Sequence, residues 1–91
     1  MDLDKCTIDR LMDKYPQLEI ALRAGVVSMK MVRELIDVDR WLMQDIYKQL
    51  VVAGAVEGVS SSCFKASKPC KVYLQERAIR KGVEEDGNSN N

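Results

Sequence analysis

Histidine is absent from this 91-residue chain, and cysteine, proline and aromatic residues are scarce: three Cys, two Pro, and Tyr15, Trp41, Tyr47, Phe64 and Tyr73. Without imidazole, the side chain that ordinarily titrates near neutral pH and shuttles protons in acid–base enzymes is missing. A metal site would also lack its common nitrogen ligand, and Cys6, Cys63 and Cys70 supply three thiols with no C-x-x-C spacing. That odd count argues against a disulfide framework and suits a reducing compartment. Paired carboxylates, nucleophile–base pairs and glycine-rich phosphate loops are missing too, so neither an enzyme nor a cofactor is expected. Charge of one sign is equally lacking: 14 basic residues balance 14 acidic ones, whereas a dedicated nucleic-acid binder usually carries a positive excess. No apolar run approaches the ~18 residues of a membrane span, and the charges at Asp2, Asp4 and Lys5 do not open a signal peptide. A cytoplasmic protein with no membrane partner is expected.

What is present suffices for one small domain with an aliphatic core. Residues 1–6 read as a flexible start. Thr7 can cap a helix with Ile8, Leu11, Met12 and Tyr15 on one face. Pro16 breaks that run and can open a second helix with Leu18, Ala21 and Leu22 inward, closed by Gly25. Ser28 is an N-cap for a helix over 28–36 whose inward stripe is Met29, Val32, Leu35 and Ile36. Asp39 caps the next helix, 40–53, with Val38 as a hydrophobic staple. There Met43, Ile46, Tyr47 and Leu50 face inward, Arg40, Trp41, Gln44, Asp45, Lys48 and Gln49 mostly outward, and Gly54 is the stop. Residues 55–66 read as a hairpin around Ser60–Ser62. Ser67 and Pro69 open a last helix over 68–81, with Val72, Tyr73, Ala78 and Ile79 as contacts and Gly82 as the stop. Residues 82–91 read as a disordered acidic and polar tail. The fold class is mainly α with a small β-hairpin, and the domain spans 7–81.

The order helix, turn, helix, hairpin, with the run from Val38 to Gly58 (VDRWLMQDIYKQLVVAGAVEG), resembles the winged helix-turn-helix family. Val38, Asp39, Met43, Tyr47, Leu50, Ala53 and Gly54 stand where that family carries the opening, ladder and closing residues of its recognition helix, and Val56 where it carries the apolar residue that begins the wing. Upstream, VSMKMVRELIDV resembles the supporting helix, with Val32 and Leu35 as core contacts. The resemblance covers residues 27–80. It implies a small DNA-binding transcriptional regulator with recognition helix 40–53 and a wing at 55–66. Two positions depart from the pattern: Asp45 stands where such helices often carry Arg or another donor, and the wing tip is three serines instead of a Lys/Arg-rich loop.

The candidate DNA contacts follow. Arg40 suits a phosphate or guanine edge, Gln44 a base edge and Lys48 a phosphate, at i, i+4 and i+8. Lys30 and Arg33 can hold backbone phosphates, and Ser60, Ser61 and Ser62 can donate to phosphate without charge. Lys65 begins a basic segment to Lys81 in which Lys65, Lys68, Lys71, Arg77, Arg80 and Lys81 face only Glu76, a net of 6 − 1 = +5. A local patch of this kind steers DNA more than a neutral total suggests. Trp41 has two readings: folded back on the supporting helix, or exposed beside Leu42 as an anchor for another protein. The alternative function is therefore a protein-interaction module of the same fold that does not bind DNA, such as an inhibitor or adaptor from a phage or mobile element. For the DNA reading a homodimer is expected, with Leu11, Tyr15, Tyr73 and Leu74 as its surface.

Overall fold

The computed structural model describes the backbone of residues 3–89 and the side chains of residues 3–80. It is mainly helical with a small antiparallel sheet. In chain order the elements are α1 (Lys5–Lys14), α2 (Pro16–Arg23), β1 (Val27–Ser28), α3 (Met29–Ile36), α4 (Arg40–Val52), β2 (Val56–Gly58), β3 (Cys63–Ala66) and α5 (Lys68–Ser89). No helix among the described residues is long and apolar enough to cross a membrane.

Helix α1 starts earlier than the sequence suggests, so residues 5 and 6 are helical instead of loose. Its cap is Asp4, not Thr7. One Asp4 carboxylate oxygen accepts from the Thr7 amide at 3.2 Å and the other from the Thr7 hydroxyl at 2.7 Å. These bonds hold the exposed Asp4 carboxyl below its ordinary pKa. The Asp4 amide also donates to the Ala53 carbonyl at 2.9 Å, tying the start of α1 to the end of α4. Pro16 opens α2, where its missing amide hydrogen is no loss.

The sheet has three strands in the order β1-β3-β2. One of its two outer strands, β1, is two residues long and gives no periodicity to read. Val27 pairs with Phe64 and Ser28 with Cys63; on the other side of β3, Val56 pairs with Ala66 and Gly58 with Phe64. Phe64 is thus central and fully buried, and its ring meets Tyr47 at 5.2 Å between centroids. Burying such a side chain stabilises by about 1.5–3 kcal/mol. Around it lie Ile8, Leu18, Leu22, Val32, Met43, Ile46, Leu50 and Leu74, contributed by every helix.

Several inward assignments change. Leu35 is 42 % exposed and leaves the core of α3 to Val32 and Ile36. In α5 the inward residues are Cys70, Tyr73 and Leu74, while Val72 and Ile79 face out. Ser67 sets that phase: its hydroxyl donates to the Gly54 carbonyl at 2.5 Å and accepts from the Cys70 amide at 3.3 Å. With α5 folded onto α2, Leu11, Tyr73 and Leu74 are sealed inside the monomer. The expected dimer surface is therefore consumed by the chain's own core. Helix α5 also continues through Gly82 to Ser89, where the sequence suggests a disordered tail; residues 90 and 91 of that tail lie outside the described residues. A glycine inside a helix costs only about 1 kcal/mol relative to alanine, which need not end it.

Candidate functional site

Helices α3 and α4 are joined by a tight turn. Asp37, the cap of α3, adopts the left-handed conformation at φ 56°, ψ 57°, a region that favours glycine or asparagine. Asp39 then caps α4, accepting from the Leu42 amide at 2.7 Å, and Val38 packs on the core. At the other end of α3, Ser28 caps the helix by accepting from the Met31 amide at 3.1 Å. The Met29 amide donates to the Ser62 carbonyl at 2.8 Å. Together with the β1–β3 pairing, this bond fixes the hairpin tip against the start of α3.

The result is an open groove of about 470 Å³ between α3, α4 and the hairpin tip. It is lined by Met29, Lys30, Arg33, Arg40, Met43, Gln44, Ser61 and Ser62. Residues from three separate segments converge there, among them six of the candidate contacts: Lys30, Arg33, Arg40, Gln44, Ser61 and Ser62. The α3–α4 segment is neutral, since Lys30, Arg33, Arg40 and Lys48 balance Glu34, Asp37, Asp39 and Asp45. Its charges are nevertheless sorted. Three of the cations line the groove and no carboxylate does. None of these three forms a salt bridge among the described residues. Asp39 is occupied as a cap, and Asp45 accepts from Gln49 Nε2 at 2.9 Å.

Four candidates lie elsewhere. Lys48 does not share a face with Arg40. Eight residues on an α-helix accumulate a rotation of about 80°, and Lys48 borders a different depression with Asp4, Thr7, Arg10, Gln49 and Val52. Trp41 is 77 % exposed, so it does not fold back on α3, and Leu42 beside it is 38 % exposed. Ser60 is exposed next to the groove without lining it. Lys65 is half-buried on β3 opposite Glu57 in the strand register. Met29 and Met43, which line the groove floor, were indistinguishable in the sequence from ordinary core positions of their helices.

The expected basic segment is also divided by the fold. Arg77, largely buried, bonds Asp9, Glu19 at 3.0 Å and, more loosely, Asp13 at 3.9 Å. Burial alone would lower its pKa; the hydrogen bond to Glu19, the negative charge of that carboxylate and the bond to Asp9 outweigh that and raise it. Arg80 lies over the Tyr73 ring at 5.9 Å, while Lys68 and Lys71 remain exposed. Among the thiols, Cys6 is exposed and Cys63 half-buried. Cys70 is fully buried, and the loss of solvent pushes its pKa up to about 11, so it is a poor nucleophile.

The molecule is thus a small, mainly helical domain with a three-stranded antiparallel sheet and a cationic groove where two helices meet the hairpin. Compared with known protein families, curated proteins and solved structures, the chain matches none, so the purpose of the groove has to be argued from its own residues.

Proposed function

We propose that this is a winged helix-turn-helix domain that binds double-stranded DNA as a small transcriptional regulator. In this reading α4 enters the major groove while Lys30, Arg33, Arg40, Ser61 and Ser62 hold backbone phosphates. The observation that carries it is the groove: three cations that form no salt bridge among the described residues, two hydroxyl donors and an amide, drawn from three segments, with no carboxylate in the lining. Cations that converge on one concavity with no carboxylate in its lining have an anionic ligand as the natural complement, and phosphate oxygens accept from every donor type present. The β1-β3-β2 order supports the reading further, because it holds the hairpin tip in fixed relation to the helix pair. Few phosphate contacts per copy predict weak binding by a single chain at physiological salt, and Leu11, Tyr73 and Leu74, being buried in the monomer core, are not available to pair two copies.

The test is binding to mixed-sequence duplex DNA as a function of salt. Three cations on phosphates give a log–log slope of about −3 per copy. Arg40→Ala should reduce that slope by about 1 and weaken binding to all sequences alike. No binding even at low salt removes the proposal.

One observation favours a second reading, a protein-interaction module of the same fold. Trp41 is 77 % exposed, and tryptophan in the open is a frequent anchor of protein interfaces. A Trp41→Ala chain that keeps full duplex affinity and salt slope, yet loses a protein partner that the parent chain binds, would favour it.

A further inference from the structure

The side of α4 turned directly away from Met43, Ile46 and Leu50 carries Trp41, Asp45, Lys48 and Val52, spaced i, i+4, i+7 and i+11, all exposed. An acid on this crest is at odds with simple phosphate attraction, yet its side chain is held in place. The Arg10 guanidinium donates to Gln49 Oε1 at 3.3 Å, and Gln49 Nε2 donates to Asp45 Oδ2 at 2.9 Å. This relay starts on α1, whose cap, Asp4, is itself bonded to the end of α4 through its amide and the Ala53 carbonyl. It orients the Asp45 carboxylate and occupies one oxygen. No hydrogen bond among the described residues engages the other, Oδ1.

We infer that Asp45 is a specificity-determining residue of the α4 surface, a positioned carboxylate that accepts a hydrogen bond from the exocyclic amino group of cytosine in the major groove. This rests on the DNA reading above and goes beyond it, because the groove cations read only phosphate. A carboxylate is acceptor-only, so on a base edge it matches an amino donor and clashes with the O6 and N7 acceptors of guanine. Placed near the backbone it would repel phosphate. It is compatible with binding only where a base presents a donor, so it acts as a filter on sequence and not as a source of affinity. Gln49 is a positioning residue in this scheme: it touches no base and limits the rotamers of the side chain that does.

The experiment is selection from a pool of randomised duplexes with the full chain, its Asp45→Asn, Asp45→Ala and Gln49→Ala variants, each first checked for an unchanged melting curve. The parent chain should select a site with a cytosine at one fixed position. Asp45→Asn should move that preference to adenine, whose N6 and N7 an amide can bond together. Asp45→Ala should erase the preference, losing roughly tenfold in discrimination at that position alone, and Gln49→Ala should reduce it part-way. Unaltered preferences in both Asp45 variants, or a parent chain that binds duplexes with no sequence preference, overturn the assignment while leaving the DNA reading intact. A parent chain that binds no duplex at low salt overturns both.

Discussion

Arginine does two different jobs at the two ends of this domain. At the α1–α2–α5 end, Arg77 lies among Asp9, Asp13 and Glu19, with Tyr73 donating to Asp9 at 2.5 Å and Arg23 bonding both Glu19 at 2.7 Å and the Leu74 carbonyl at 3.2 Å. There each guanidinium finds its partners within the chain and joins helices remote in sequence. At the α3–α4–hairpin end, Lys30, Arg33 and Arg40 converge on one groove and form no salt bridge among the described residues. Net charge, which is zero, is blind to this distinction. A cation satisfied internally contributes to stability and is lost to ligands, whereas one left open contributes little to folding and is available to an anion.

Substitutions at the two ends should therefore separate stability from binding. The largest effect belongs to Arg77→Ala, which takes one of two partners from the largely buried Glu19 and the half-buried Asp9, leaving Arg23 on the first and Tyr73 on the second, and opens the packing between α5 and α1–α2. Stability should fall by roughly 1–3 kcal/mol, read as a lower denaturant midpoint at unchanged slope. The same change should speed labelling of Cys70, which in the parent chain reacts only on opening, while exposed Cys6 labels at once. Equal labelling rates of Cys70 in the two chains would mean that Arg77 does not clamp α5. Arg33→Ala is the opposite case. Its folding stability should change by under about 0.5 kcal/mol, while low-salt duplex affinity drops several-fold. A large stability loss there would show that the groove cations are structural after all.

Smaller effects refine the boundaries of each region. Asp37→Gly relieves the left-handed turn between α3 and α4 and should raise stability by about 0.5 kcal/mol, seen as a modest gain in melting temperature without change in binding. The Asp4 cap sets a weak pH dependence. Its carboxyl is depressed in the folded chain, so its contribution is present above the unfolded pKa and is lost as pH falls through the lower folded value, below about pH 4. Asp4→Ala should flatten that acid limb of a stability-versus-pH curve and leave the neutral region parallel to the parent.

Much of the scaffold was legible in the residues themselves. Ser28 and Asp39 act as caps because a short polar side chain can reach back to the amides of the first turn. Pro16 and Gly54 act as breaks for reasons internal to their own backbones. The buried stripes of α1, α2 and α4 follow from helical periodicity. What failed was decided at a distance. Thr7 looked like a cap, but Asp4 is the one bonded to Ala53 and placed to start the helix. Val72 and Ile79 are apolar, yet the Ser67 bonds and the Arg77 cluster fix the phase of α5 so that Tyr73 and Leu74 turn inward. Leu11, Tyr73 and Leu74 were equally consistent with a dimer face and a core.

The candidate site shows the same division. Sequence supplied the residue types, since cations, a glutamine and serines on helix and turn positions are fixed by local order. It could not say that Lys30, Arg33, Arg40, Gln44, Ser61 and Ser62 share one concavity while Lys48 lies round the helix and Lys65 on the sheet. That assignment depends on the two-residue strand β1 and on the Met29–Ser62 bond, contacts between segments some 35 residues apart. Local hydrogen bonding and periodicity are properties of neighbours along the chain and can be read from it. Which charges end up facing each other, and which are left open to a ligand, is settled only when helices and strands close around Phe64 and the unpaired side chains come to share a surface.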